Sequence, residues 1–246
     1  MKKTLIIIPA FNEELNILKT FKTIESYKKE TNETYDVLIV NDGSTDSTEE
    51  ILQENKIPHI LLLKNLGIGG AVQTGYKYAL ENNYDYAVQL DGDNQHDISF
   101  VKTILAPLEK GTADLVIGSR FIGKKNTENF RSSFARRIGI KIISGAIKLK
   151  TGKRIFDTTS GFRAANKKVI KMFAEKYPVE YPEPISTTEI LLSSGKVAEV
   201  PVKMKARNGG KSSISSYKNA YYMINVILLI LTSRSLKKWI LAFLLS

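Results

Sequence analysis

The chain has 246 residues, 43% of them hydrophobic, which is enough for a sizeable core and excludes wholesale disorder. It has no cysteine, which excludes disulfides, thiolate metal sites and a cysteine nucleophile; its only histidines, His59 and His96, argue against a multi-histidine metal site. The formal net charge of +11 implies an anionic partner, and nucleic acid, anionic lipid and phosphorylated substrates all qualify.

Taken in chain order, the first half alternates short β-rich runs with helical spacing. Met1-Lys2-Lys3 and the apolar run after it resemble an export signal. Pro9 and Asn12-Glu13-Glu14 break that run too early, so it reads as a first buried strand in a chain that is not exported. Buried strands are predicted at Leu5–Ile8, Val37–Val40, Ile60–Leu63, Tyr86–Leu90 and Leu115–Ile117. Helices are predicted between them at Glu14–Lys28, Thr45–Glu54, Gly70–Asn82 and Ser99–Glu109. This alternation specifies βαβ units and an α/β fold with a mostly parallel sheet, whose ligands bind beyond the carboxyl ends of the strands.

Past residue 120 the pattern becomes more helical and basic, with a further strand at Val197–Val202. Between Lys124 and Arg154 there are ten Lys or Arg residues and one acid, Glu128. A run of this kind is ordinarily a solvated helix face. The segment from Asn219 to Ser233 is uncharged, and Arg234, Lys237, Lys238 and Trp239 follow it. Fifteen helical residues rise only about 22 Å, short of a hydrocarbon core of roughly 30 Å. The end of the chain is therefore expected to lie in the headgroup region as interfacial helices, dividing the chain into 1–215 and a membrane-associated 216–246. So short a segment also leaves room for a small integral membrane partner.

Four polar sites follow predicted strands: Pro9-Ala10-Phe11-Asn12-Glu13, Asn41-Asp42-Gly43-Ser44-Thr45-Asp46, Asp91-Gly92-Asp93-Asn94-Gln95-His96 and Gly118-Ser119-Arg120. Singly, each reads as turn chemistry. The third says more, because Asp91 and Asp93 with Gln95 offer hard oxygen ligands to one cation. Mg²⁺ or Mn²⁺ suits such a set and neutralises a departing diphosphate. Gly67-Ile68-Gly69-Gly70 fails the dinucleotide fingerprint, since Val72 stands where its third glycine belongs. It reads as a loop near the nucleotide or as a helix start.

Together these sites resemble the family 2 glycosyltransferases of the GT-A fold, with Phe11 for the usual tyrosine and Asn41 for the usual first aspartate. The resemblance implies that Pro9, Ala10, Glu13 and Asp42 hold the base and ribose of a nucleotide-diphosphate sugar. Asp91 and Asp93 would serve the metal and diphosphate. Asp157-Thr158-Thr159-Ser160-Gly161-Phe162-Arg163-Ala164 is similar to the signature of dolichyl-phosphate mannose synthases and their bacterial polyprenyl-phosphate relatives. Glu199-Val200-Pro201-Val202 and Gly209-Gly210-Lys211-Ser212-Ser213 also resemble that group. It implies a metal on Asp91, Asp93 and Gln95. It also implies a polyprenyl phosphate held by Arg120, Ser160, Arg163 and one of Arg131, Arg136 and Arg137, of which Arg136 is the nearest match. Asp93, Arg120 and Arg163 would then be the catalytic residues, at the cytoplasmic face of the cell membrane.

The chemistry of the acceptor points the same way. A phosphate monoester, with its second pKa near ~6, is already a charged nucleophile and needs cations to aim it, not a base. Two rivals remain. In one, a sugar hydroxyl is the acceptor, with Glu183 or Glu189 as base. In the other, the chain is a non-catalytic basic protein binding membrane or nucleic acid; without an aromatic platform among the cations, nucleic acid is not an expected partner.

Overall fold

The computed structural model describes residues 2–92, 95–123, 134–203 and 216–233. The first strand, β1 (Thr4–Ala10), is buried at every position, as a central strand covered on both faces must be. After it come α1 (Ile17–Thr31), β2 (Asp36–Asn41), α2 (Thr48–Glu54), β3 (His59–Leu61), α3 (Gly67–Glu81) and β4 (Tyr86–Gln89). A 3-10 turn at Ile98–Phe100 leads into α4 (Val101–Glu109) and β5 (Leu115–Ser119). The remainder comprises α5 (Phe134–Thr151), β6 (Arg163–Asn166), α6 (Lys167–Glu175), α7 (Pro182–Leu192), β7 (Val197–Pro201) and α8 (Ser216–Thr232).

The seven strands form one sheet in the order β3-β2-β1-β4-β6-β5-β7. All neighbouring pairs are parallel except those of β6, which runs antiparallel between β4 and β5. The two faces divide the core by strand alternation. Leu5, Ile7, Val40 and Ile117 face α3, α6 and α5, while Ile6, Ile8, Ile39 and Val116 face α1 and α4.

The predicted strands and helices all appear, with shifted bounds. α1 begins at Ile17 because Glu13 first closes a turn, its carbonyl accepting from Asn16 and Ile17 N–H at 2.9 and 2.8 Å. The Gly67-Ile68-Gly69-Gly70 run is the first turn of α3 itself. A side chain on Gly69 would come within 2.5 Å of the Val179 carbonyl oxygen, so glycine lets this helix start lie against the 178–179 backbone. Sequence reading missed β6, a four-residue strand carrying a cation and an asparagine.

α8 is seventeen residues long, a rise of about 25 Å. Among the described residues no helix is long and apolar enough to cross a membrane. α8 packs on α5, with Val226 and Ile230 buried in the same cluster as Ile143 and Ile147. Its outer side exposes Ile224, Leu228 and Leu231, and α5 exposes Ile138, Ile142 and Leu149. Arg234, Lys237, Lys238, Trp239 and the Gly209–Ser213 motif lie outside the described residues.

Candidate active site

The carboxyl ends of β1, β2 and β4 converge because the three strands are adjacent and parallel. Asp42 N–H donates to the Ala10 carbonyl at 2.8 Å, joining the first two strand ends. The Asp42 carboxylate accepts from Leu66 N–H at 2.7 Å, which fastens the start of α3 to the same corner. Burial pushes the Asp42 carboxyl pKa up, against the pull of its Leu66 and Gly67 hydrogen bonds. Gly43, at φ +67°, makes this turn, and a side chain there would come within 2.9 Å of the Asn65 backbone.

The first loop is laced to the second by reciprocal bonds. Asn12, itself left-handed at φ 55°, donates its N–H to Ser44 Oγ at 3.0 Å and accepts from Thr45 N–H at 2.8 Å. Glu13 N–H donates to Thr48 Oγ1 at 2.9 Å, and Asn16 donates to the Glu13 carboxylate at 3.0 Å. Pro9 and Ala10 are buried in β1, while Phe11 is 46% exposed at the mouth.

Asn41, where the resemblance leads one to expect aspartate, is fully buried and points away from the mouth. Its Nδ2 donates to Glu49 Oε2 at 2.8 Å and its Oδ1 accepts from Ser44 N–H at 3.1 Å. Glu49 also lies 3.0 Å from His59 Nε2. Burial raises the Glu49 carboxyl, but the hydrogen bonds from Asn41, Gln53 and His59 outweigh it and hold the pKa below the usual value. An aspartate at 41 would set two carboxylates face to face, so asparagine is the residue that this corner fits.

Asp91 leaves the end of β4, and its side chain is 36% exposed, against 3% for Asp42 as a residue. It is held from two sides. Its N–H donates to His96 Nδ1 at 3.0 Å, which places the proton of the neutral ring on Nε2, 3.5 Å from Asp91 Oδ2. On the other side stands Gly161, where a Cβ would meet Asp91 Oδ1 at 2.8 Å. Phe162 stacks on the His96 ring, with centroids 5.0 Å apart and planes inclined by 23°. Gln95 is half-buried beside this group. The Asp91 carboxylate and Gln95 amide are hard oxygen donors, a set that fits Mg²⁺ or Mn²⁺. Asp93 lies outside the described residues, and among those described no cluster of three or more acidic, histidine or cysteine side chains forms a metal site.

The expected phosphate ligands are differently placed. Arg120 forms a fork with Asp157, Nε and Nη2 donating to the two carboxylate oxygens at 2.7 Å each, and Nη2 also reaches Thr159 Oγ1 at 3.0 Å. Asp157 is fully buried, and its N–H donates to Glu199 at 2.8 Å, whose carboxyl pKa burial pushes up. Ser160 Oγ donates inward to the Gly118 carbonyl at 2.7 Å. Arg163 is fully enclosed, donating to the Ser160 carbonyl at 2.8 Å and to Ser186 Oγ at 3.0 Å. Arg137 is exposed on the first turns of α5; Arg131 lies outside the described residues, as does the side chain of Arg136.

The two candidate bases separate clearly. Glu189 pairs with Lys176 at 3.2 Å on the outer face of α7. Glu183, in the first turn of α7, lies within electrostatic reach of Arg163, Asp91 and Arg120, and burial raises its carboxyl pKa. Tyr181 caps that helix at φ 51°, a strained conformation for a large side chain. Asp157, Glu199 and His96 had no role legible in the sequence, because the contacts that define them join residues far apart in the chain, Asp157 to Glu199 and His96 to Phe162. A broad groove of about 710 Å³ runs along the outer flank of α1, but neither Asp42 nor Asp91 lines it.

Comparison with known proteins agrees with this geometry. The chain is 31% identical over 219 residues to the UDP-N-acetylglucosamine–dolichyl-phosphate N-acetylglucosaminyltransferase of Methanococcus voltae, covering 80% of this chain and 84% of that one. It is 32% identical to the dolichol-phosphate mannosyltransferase of Pyrococcus furiosus, over 86% of this chain and 59% of that one. With the undecaprenyl-phosphate mannosyltransferase of Micrococcus luteus it shares 27% identity over 91% and 92% of the two chains. Among solved structures, glucosyl-3-phosphoglycerate synthase from Mycobacterium tuberculosis, in complex with Mn²⁺, UDP and phosphoglyceric acid, has the same fold. It superposes with a TM-score of 0.68 at 18% identity, covering 94% of this chain and 78% of that one. A match to glycosyl transferase family 2 runs from residue 5 to residue 173, well over half of the molecule, and the chain belongs to that family.

Proposed function

We propose that this glycosyltransferase moves a sugar from a nucleotide-diphosphate donor to a polyprenyl phosphate at the cytoplasmic face of the membrane. One observation carries the reading: Asp91, an open acid at the strand ends, stands beside the segment Asp157–Arg163 that the chain shares in pattern with polyprenyl-phosphate enzymes. The substrates printed in the names of the Methanococcus, Pyrococcus and Micrococcus relatives support it.

In this reading the Asp42 corner and the Glu13 loop hold the nucleoside. Asp91, Asp93 and Gln95 would hold Mg²⁺ or Mn²⁺, which supplies charge neutralisation to the leaving diphosphate. A phosphate oxygen of the acceptor attacks the anomeric carbon from the face opposite the leaving diphosphate. The new C–O bond forms as the bond to the diphosphate breaks, its electron pair leaves on the nucleoside diphosphate, and configuration inverts. The acceptor dianion needs no proton removed, so the task of the chain is to aim it. Arg120, Arg136 and Arg137 are the cations that the resemblance offers for this task, and in this reading the apolar outer faces of α5 and α8 rest on the lipid surface.

Glu183 favours a second reading. A half-buried carboxyl near Asp91 with a raised pKa suits a general base for a hydroxyl acceptor. Nucleoside diphosphate release, measured with Mn²⁺ across a panel of nucleotide sugars, separates the two. Release that needs polyprenyl phosphate supports the first reading, whereas equal release with soluble sugar acceptors and no lipid overturns it.

A further inference from the structure

The Ser160-Gly161-Phe162-Arg163 segment is expected, from its resemblance, to grip the acceptor phosphate, yet neither of its polar side chains points outward. Ser160 Oγ is turned to the Gly118 carbonyl at 2.7 Å. The Arg163 side chain has no solvent exposure, and β6 places it directly opposite Gln89 of β4 and Ile117 of β5. Its Nε and Nη1 are committed to Ser160 and Ser186. Its Nη2 is buried without a hydrogen-bond partner among the described residues, and so are both amide atoms of Gln89. Among the described residues Arg163 has no carboxylate within ion-pair distance, the costliest way to bury a cation.

What Arg163 does reach is the framework of Asp91. Through Ser186, whose Oγ donates to the Glu183 carbonyl at 3.2 Å, it ties the first turn of α7 to the Ser160 carbonyl. The next residue, Gly161, bears directly on the Asp91 carboxylate, and the residue after that, Phe162, backs the His96 ring that faces the other Asp91 oxygen. Three consecutive residues therefore define where the carboxylate can sit. Gly161 closes one side, Phe162 holds the histidine that closes the other, and Arg163 anchors both to α7.

We propose that Ser160–Arg163 is a clamp that positions Asp91 for metal and diphosphate, with Arg163 a positioning residue acting from inside the fold instead of a ligand of the acceptor phosphate. The proposal rests on the reading of Asp91 as a metal-site acid. Second-sphere partners of this kind alter metal affinity about 10–100-fold when removed.

The test follows Mn²⁺ binding by electron paramagnetic resonance in the purified full chain, titrated with UDP and, separately, with GDP. The variants are Gly161→Ala, Phe162→Leu and Arg163→Lys. A clamp lowers Mn²⁺ affinity about 10-fold or more in each folded variant, while KM for polyprenyl phosphate at saturating metal stays within about twofold of wild type. A grip on the acceptor gives the opposite split: unchanged Mn²⁺ affinity and a KM raised about 10-fold or more by Arg163→Lys alone, which overturns the proposal. Should Arg163→Lys fail to fold, the other two variants decide the matter. Wild type that binds no Mn²⁺ with either nucleotide overturns the metal-site reading and the clamp with it. Binding equally tight in wild type and variants overturns the clamp alone.

Discussion

Asp42 and Asp91 reach the carboxyl edge of the sheet by the shortest route, each one or two residues past its strand, whereas Arg120 and Arg163 are held in place by partners far along the chain. The first half of the molecule is a set of βαβ units in which local order determines position: once the strands are parallel and adjacent, their ends and acids come together. The second half has no such periodicity. β6 is inserted against the run of the sheet, and its surroundings are joined by buried polar contacts between Arg120 and Asp157, Asp157 and Glu199, and Arg163 and Ser186. The first arrangement tolerates change wherever the strand pattern persists. The second fails at single residues, because each buried charge depends on a few partners distant in the chain.

The sharpest way to break this contrast is to remove the chemistry from the first half without touching its fold. Asp91→Ala is expected to lower kcat about 10²–10³-fold, with an unfolding temperature close to wild type, measured by nucleoside diphosphate release beside thermal denaturation. Retained activity would remove Asp91 from the site. In the second half the balance reverses. Asp157→Leu leaves Arg120 buried without its carboxylate and is expected to cost about 3–5 kcal/mol, read from urea unfolding. Replacing both Asp157 and Arg120 by leucine should cost less than the single change.

A smaller effect tests the first half's own polar corner. Asn41→Asp, which restores the residue more usual in the family pattern, sets a carboxylate against Glu49 and should destabilise by about 1–3 kcal/mol at neutral pH. An unchanged urea midpoint would show that Glu49 swings away.

Acid titration sharpens the comparison further. Asp46 is half-buried, and its Thr48 and Glu14 hydrogen bonds outweigh that burial and hold its pKa below the ordinary 3.8. Glu49 is likewise held below 4.5 by its partners. Their contribution is present above those ordinary values and lost as pH falls through the depressed folded ones. Glu183 and Glu199 have the opposite sign: burial raises their folded pKa, so protonation favours the fold, and stability rises as pH falls from neutrality toward 4.5. The urea midpoint should accordingly peak between neutrality and about pH 4.5 and fall in more acidic buffer. A midpoint declining steadily from pH 7 would contradict it. Smallest in stability is the membrane prediction. Ile142→Asp with Leu228→Asp should weaken sedimentation with anionic vesicles, while each change leaves folding stability within about 0.5 kcal/mol.

The strands of the first half were legible because burial on both faces writes them as continuous apolar runs, as in Leu5–Ile8 and Val37–Val40. Asp91 was legible because it follows such a run. Arg163-Ala-Ala-Asn was not: it is short, begins with a cation and owes its strand conformation to the two neighbours it joins. Its burial was equally hidden, since an arginine in a Ser-Gly-Phe-Arg motif reads as a ligand until its contacts with Ser160 and Ser186 are seen. Asn41 shows the converse, a departure from the family pattern that is explained only by Glu49, eight residues on.

The insertion of β6 also bears on how the chain is made. Its residues 163–166 pair with β4 at 86–89, so about seventy residues must be synthesised after β4 before its open edge is covered. At roughly 5–20 residues per second that is an interval of about 4–15 s. Throughout it, a short apolar strand offers unpaired backbone to any other nascent chain. Gly161 and Phe162, which frame Asp91, directly precede the strand that closes this edge, so a ribosome-bound intermediate can hold most of its sheet and still lack the surroundings of Asp91.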